Sequence, residues 1–155
     1  MMSTWSERLD ELGIELPAVP APAGAYVPAV RTGNLVYTAG QVPFVDGTIA
    51  ATGKVGQEIS PEEAKAHART CALNALAAAA SVAGGLEGIR RIVKVVGFVA
   101  SAPGFSGQPQ VINGASEFLI EVFGEDGKHA RSAIGVAELP LNAPVEVEMI
   151  VEVRD

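Results

Sequence analysis

With 155 residues, 48% hydrophobic and 19% charged, the chain has the composition of one compact domain with a single core, and not of a disordered protein. A formal charge of −7 offers no clustered basic surface for tracking phosphates, so neither nucleic acid nor an anionic membrane is an expected partner. One cysteine, Cys71, and two histidines, His67 and His129, exclude an intrachain disulfide and leave no structural zinc set, which suits a reducing cytoplasm. The most apolar run, residues 71–83, is interrupted by Asn74 and falls short of the roughly 20 residues that span a bilayer. The start of the chain lacks a basic segment followed by an apolar one, so a soluble, unprocessed cytoplasmic protein is expected. Residues 1–155 read as one domain, of which 1–23 are an N-terminal helix and proline-containing leader.

In chain order, Thr4-Trp5-Ser6-Glu7 has the spacing of a capping box, and Trp5, Leu9 and Leu12 share the face of a short helix that Gly13 ends. Three prolines between Leu16 and Ala25 make the next segment extended. The Trp5 and Leu9 stripe needs apolar surface to cover, on its own domain or on a neighbouring subunit. Residues 26–49 carry two strand signals, VPAVRTG turning at Gly33-Asn34 into LVYTAGQVPF, with Asp46-Gly47 as a second tight turn, and predict an antiparallel ribbon.

Ser60-Pro61-Glu62-Glu63 starts a helix with a cap, a first-turn proline and a glutamate at the third position, and Gly84-Gly85 ends it. Its inner stripe of Ala64, Ala68, Cys71, Ala75, Ala79 and Val82 is so small that it should sit close to whatever it covers. Residues 89–100 are apolar on both faces and predict a central strand. A second helix over 109–123 presents Val111, Ala115, Phe118 and Val122. The order strand, strand, helix, strand, helix, strand, strand predicts an α+β layer with both helices on one face of a sheet. The other face, expected to carry part of Val93, Val95, Phe98 and Val147, then needs a second cover, and self-association supplies one.

The last stretch holds the most site-like pattern. At a period of two, Arg131, Ala133, Gly135 and Ala137 share one face of a strand, an arginine beside very small side chains. Beyond a connector from Pro140 to Pro144, Val145, Val147, Met149, Val151 and Val153 alternate with Glu146, Glu148, Ile150 and Glu152. On a simple hairpin Glu146 would lie opposite about Ala137, roughly 20 Å from Arg131 at 3.3 Å per residue. A site using both must join non-adjacent strands or different chains.

The segments GAYVPAVRTGNLVYTAGQVP, VINGASEFL, and ARSAIGVAELP followed by VEVEMIVEV together resemble the RidA family, also called YjgF/YER057c/UK114, over residues 24–153. The leader resembles that of a longer subgroup. The resemblance implies a chorismate-mutase-like fold, a homotrimer whose sheets form a central barrel, and three clefts between subunits. It also implies hydrolysis of small 2-imino acids, such as 2-iminopropanoate and 2-iminobutanoate, to 2-keto acids and ammonia without metal or organic cofactor. The family's carboxylate-binding arginine falls on Arg131, its water-orienting glutamate on Glu146, its cleft tyrosine on Tyr26 and its helix asparagine on Asn113. Two positions depart from the pattern of active members: Ala39 replaces a serine and Ala133 a cysteine.

A guanidinium can take both oxygens of a carboxylate, and a glutamate can hold and partly deprotonate a water. The alternative is a non-catalytic binder of small carboxylates using the same arginine. Ribonuclease activity, a label attached to parts of the family, ranks below both because the chain is acidic and has no basic stripe. His67 and Cys71, four apart on one helix, have no further ligands to complete a metal site.

Overall fold

The computed structural model describes residues 3–155; the first two residues of the leader lie outside the described residues. Helix α1 (Trp5–Glu11) begins at the capping box read from the sequence, with the Thr4 side chain accepting from the Glu7 N–H. Its Trp5 indole donates to the Ile89 carbonyl at 2.7 Å and meets the Phe123 ring edge-on at 4.8 Å. The Glu87 carboxylate accepts from the Trp5 and Ser6 N–H groups. The leader helix therefore lies on its own domain, and Leu16 and Val19 continue the packing along the core.

Strands β1 (Ala29–Thr32) and β2 (Leu35–Thr38) form the expected hairpin, with Gly33 at φ 58 in the turn. The run that follows is not one strand. Gln41 bridges to Val147, and β3 (Phe44–Val45) pairs with β4 (Thr48–Ile49) in a separate two-stranded sheet. Pro43 has no N–H for a continuing ladder. The amide of Asn74, buried in the next helix, fixes this corner by donating to the carbonyls of Val42 (3.2 Å) and Phe44 (3.0 Å).

Helix α2 (Pro61–Val82) buries Ala64, Ala68, Cys71, Ala75 and Ala79, while Val82 is only partly buried. Helix α3 (Gln108–Phe123) lies against α2 so closely that a Cβ on Gly114 would overlap the Lys65 carbonyl. Both helices cover one face of a five-stranded sheet completed by β5 (Ile89–Ala100), β6 (Ala130–Val136) and β7 (Val145–Val153). Its order is β1-β2-β7-β5-β6; only β5 and β6, joined through α3, are parallel. The observed α+β layer agrees with the sequence reading.

One expectation is corrected. Val95 and Val147 are fully buried under the helices, so they do not belong to the uncovered face. A register shift between Ile92 and Lys94 places Val93 in an irregularity, and the uncovered face is set by the pairs that follow. Phe98 lies there between Glu146 and Ile134, beside Val96 and Glu148, with Tyr37 opposite Ile150. Tyr37 and Ile134 are 46% and 45% exposed, so this face carries uncovered apolar surface among glutamates.

Candidate functional site

Arg131 stands near the start of β6 on the helix-covered face, opposite the buried Val95. Asn113 and Ser116, three apart on α3, point to the same side of that helix and both meet the guanidinium. Its Nη1 donates to Asn113 Oδ1 at 2.8 Å and to Ser116 Oγ at 3.2 Å, and Nη2 donates to the Pro109 carbonyl at 3.4 Å. An arginine has about five N–H donors. These contacts leave Nε–H and one Nη2–H for an outside acceptor, a pair that a carboxylate can use. Ala133 lies two residues along the same face, opposite Gly97, and is partly buried against the core.

His129 continues the arrangement. Its Nδ1 is 2.6 Å from the Gly127 carbonyl and its Nε2 is 2.9 Å from Ser116 Oγ. Burial foremost, and the Arg131 charge after it, lower its pKa below the ordinary histidine value and outweigh the Gly127 hydrogen bond, which acts the other way.

Glu146 lies on β7 with its side chain on the uncovered face, in a cleft of about 80 Å³. Tyr26, Gly40 and Gln41 line that cleft together with leader residues Pro20 to Ala23. The space beside Gly40 is filled by the Glu146 carboxylate, which any Cβ there would strike. Burial, and secondarily the charge of Glu148, raise the Glu146 pKa, and no cation or hydrogen bond offsets them. Tyr26 is 50% exposed and its hydroxyl accepts from the Ala23 N–H at 3.1 Å, tying leader to cleft. Ala39, next to Gly40, donates its N–H to the Pro28 carbonyl at 2.8 Å.

The six residues singled out from the sequence thus fall into two groups within one chain: Arg131 with Asn113 and Ala133, and Glu146 with Tyr26 and Ala39. The hairpin geometry does not occur, because β5 lies between β6 and β7. Arg131 registers with Val95 and Glu146 with Phe98, three positions along, so the two side chains leave opposite faces of the sheet. Two strand spacings and three residues separate their Cα atoms by about 14 Å.

Sequence reasoning misses Ser116 and His129. Their signals were spacings: three from Asn113 on a helix and two from Arg131 on a strand. Gly40 had no signal beyond its neighbour Ala39, and Asn74 read only as an interruption of an apolar run. Cys71 is fully buried with its thiol directed at the Val145 carbonyl, and burial raises its pKa well above the usual thiol value. Burial lowers the pKa of His67. Among the described residues no three His, Cys, Asp or Glu side chains cluster as a metal set, and no helix is long and apolar enough to cross a membrane.

The sheet and its two covering helices define an α+β protein, with one candidate group around Arg131 and another around Glu146. Residues 6–153 match the family model described as "YjgF/chorismate_mutase-like, putative endoribonuclease". Protein TCP17 of Trypanosoma cruzi is 43% identical over 96% of this chain and 93% of that protein. A 2-iminobutanoate/2-iminopropanoate deaminase of Dermatophagoides farinae is 33% identical over 91% and 95%. The crystal structure of Atu1372, a protein of unknown function from Agrobacterium tumefaciens, superposes with a TM-score of 0.88 at 48% identity, covering 97% of this chain and 92% of that one. The chain belongs to the YjgF/RidA family.

Proposed function

We propose that the protein is an imine deaminase that hydrolyses small 2-imino acids, of the 2-iminopropanoate and 2-iminobutanoate type, to 2-keto acids and ammonia in clefts between the subunits of a homotrimer. The observation that carries this reading is the division of labour between Arg131 and Glu146. Arg131 is held by α3 with two N–H groups left over, which suits the carboxylate of a 2-imino acid. Glu146, with its pKa raised by burial, is suited to accept and return a proton of the attacking water. Water adds to the imine carbon, the nitrogen takes up protons, and ammonia leaves as the carbonyl forms. Atoms balance without an external oxidant or reductant.

Because the two groups leave opposite faces of one sheet, a cleft using both takes Arg131 from one copy and Glu146 from another. The uncovered apolar face bearing Tyr37, Phe98 and Ile134 supports such association. The deaminase name of the Dermatophagoides relative supports the reaction class. A non-catalytic binder of small carboxylates is the second reading, favoured by Ala39 and Ala133, which place methyl groups where active relatives carry a hydroxyl and a thiol. Cleavage of RNA ranks third, since the net charge of −7 opposes a polyanion.

The test is a coupled assay in which a pyridoxal-phosphate dehydratase generates the imine in competition with semicarbazide. Faster keto-acid formation with wild type and none with Arg131→Ala supports the deaminase. Saturable pyruvate binding without turnover supports the binder. RNA cleavage lost in Arg131→Ala would reverse the ranking.

A further inference from the structure

We infer that Ser116 and His129 are positioning residues that orient the Arg131 guanidinium toward its carboxylate ligand; this rests on the reading of Arg131 given above. A carbonyl oxygen can only accept, so the 2.6 Å contact with Gly127 assigns the imidazole proton to Nδ1. In the neutral ring Nε2 is then an acceptor, and the hydroxyl proton of Ser116, 2.9 Å away, is directed to it. That turns the serine oxygen lone pairs toward Arg131 Nη1, where the contact is 3.2 Å. The other Nη1 proton is taken by Asn113. Every donor in the chain from Gly127 to Arg131 has one acceptor, and the guanidinium is fixed with Nε–H and one Nη2–H free.

The same polarity argues against a nucleophilic Ser116, because the lone pairs that would attack are directed at a cation. Protonating His129 would reverse the chain. Nε2–H would donate to the serine oxygen, the hydroxyl proton would lose its acceptor, and two cations would share one oxygen. The charge that acts on His129 is that of Arg131 on β6, while Lys128, Arg91 on β5 and Glu152 on β7 line an open cleft that His129 borders. Glu152 is 3.6 Å from Arg90 and Lys128 is paired with Glu125, so the surroundings favour the neutral ring that the hydrogen bonds require.

The experiment uses the full chain, with pyruvate as binding probe and the 2-imino acid as substrate. Ser116→Ala and His129→Ala are expected to raise KM and the pyruvate Kd about tenfold, with kcat within about twofold. The double variant should be no worse than the weaker single one. His129→Gln, whose amide oxygen can still accept from Ser116, should restore binding to within about threefold. Wild-type affinity should fall on acidification below the ordinary histidine range, because burial lowers the His129 pKa, and His129→Gln should flatten that dependence. A fall in kcat with unchanged KM, a lowered melting temperature with unchanged Kd, or tighter pyruvate binding on acidification would overturn the inference. If Arg131→Ala loses pyruvate while His129→Ala binds it like wild type, only this inference fails. If wild type does not bind pyruvate, or binds it no better than Arg131→Ala does, the Arg131 reading fails and takes this one with it.

Discussion

Arg131 and Glu146 are both partly buried charged side chains near one end of the sheet, yet their surroundings differ in kind. Around Arg131, side chains from α3 and a backbone carbonyl satisfy three N–H groups, so the charge is stabilised and its direction set before any ligand arrives. Around Glu146, apolar walls and a second carboxylate disfavour ionisation, with nothing to compensate. A solvated-looking acidic strand and a lone arginine are thus opposites in energy: the arginine's charge is satisfied by its neighbours, and the glutamate's is not.

The comparison can be broken at its strongest point first. Arg131→Ala should lower kcat/KM for the 2-imino acid by at least about 100-fold, because two charge-assisted hydrogen bonds of roughly 1.5–3 kcal/mol each would be lost. Steady-state kinetics reads this, and light scattering should show the oligomeric state of the variant to be that of wild type. Next, Glu146→Gln should lower kcat about 100-fold with little change in KM.

That variant also carries a stability signature. A carboxyl whose folded pKa lies above 4.5 binds protons in the folded state that the unfolded state has released. Stability is therefore lost as pH rises through that window, and removing the charge should raise the melting temperature more at pH ~7 than at pH ~4. An equal gain at both pH values would mean that Glu146 is not strained by ionisation.

Gly40→Ala sharpens the contrast by touching one half alone. Its Cβ meets the end of a flexible side chain, so Glu146 must swing aside. Turnover should fall about tenfold while pyruvate binding stays within about twofold. The smallest effect on chemistry is expected from Asn74→Ala, which frees the carbonyls of Val42 and Phe44 on the wall of the Glu146 cleft. Denaturant unfolding should show a loss of about 1–3 kcal/mol, with KM raised only about twofold.

Local signals explain why the helices and strand faces could be read in advance. The two capping boxes at Thr4 and Ser60, the small-residue stripe of α2 and the alternation of β7 each lie within a few residues of one another. Strand β5 gave no such parity signal, being apolar on both faces, and the irregularity at Val93 changes which residues share a side. The sequence alone therefore does not place Val95 beneath the helices. The resemblance nominates Arg131, Asn113, Glu146, Tyr26, Ala39 and Ala133 for the candidate site, residue by residue, and omits Ser116, His129 and Gly40. The site's separation into two groups was not legible, since that follows from β5 entering between β6 and β7, a pairing between distant segments with no local mark.

The central place of β7 has a consequence for biosynthesis. The strand that comes last in chain order pairs with β2 on one side and β5 on the other, with Val36 meeting Val151 and Val95 meeting Met149. As the polypeptide leaves the ribosome, the β1–β2 hairpin and the β5–α3–β6 unit can each form, but both keep an open edge until β7 is inserted between them. Closure of the sheet is therefore a late event. A nascent chain stalled before Val145 presents two unpaired edges at once, a template for joining other stalled chains and a target for proteolysis, and cannot persist as a partly folded domain.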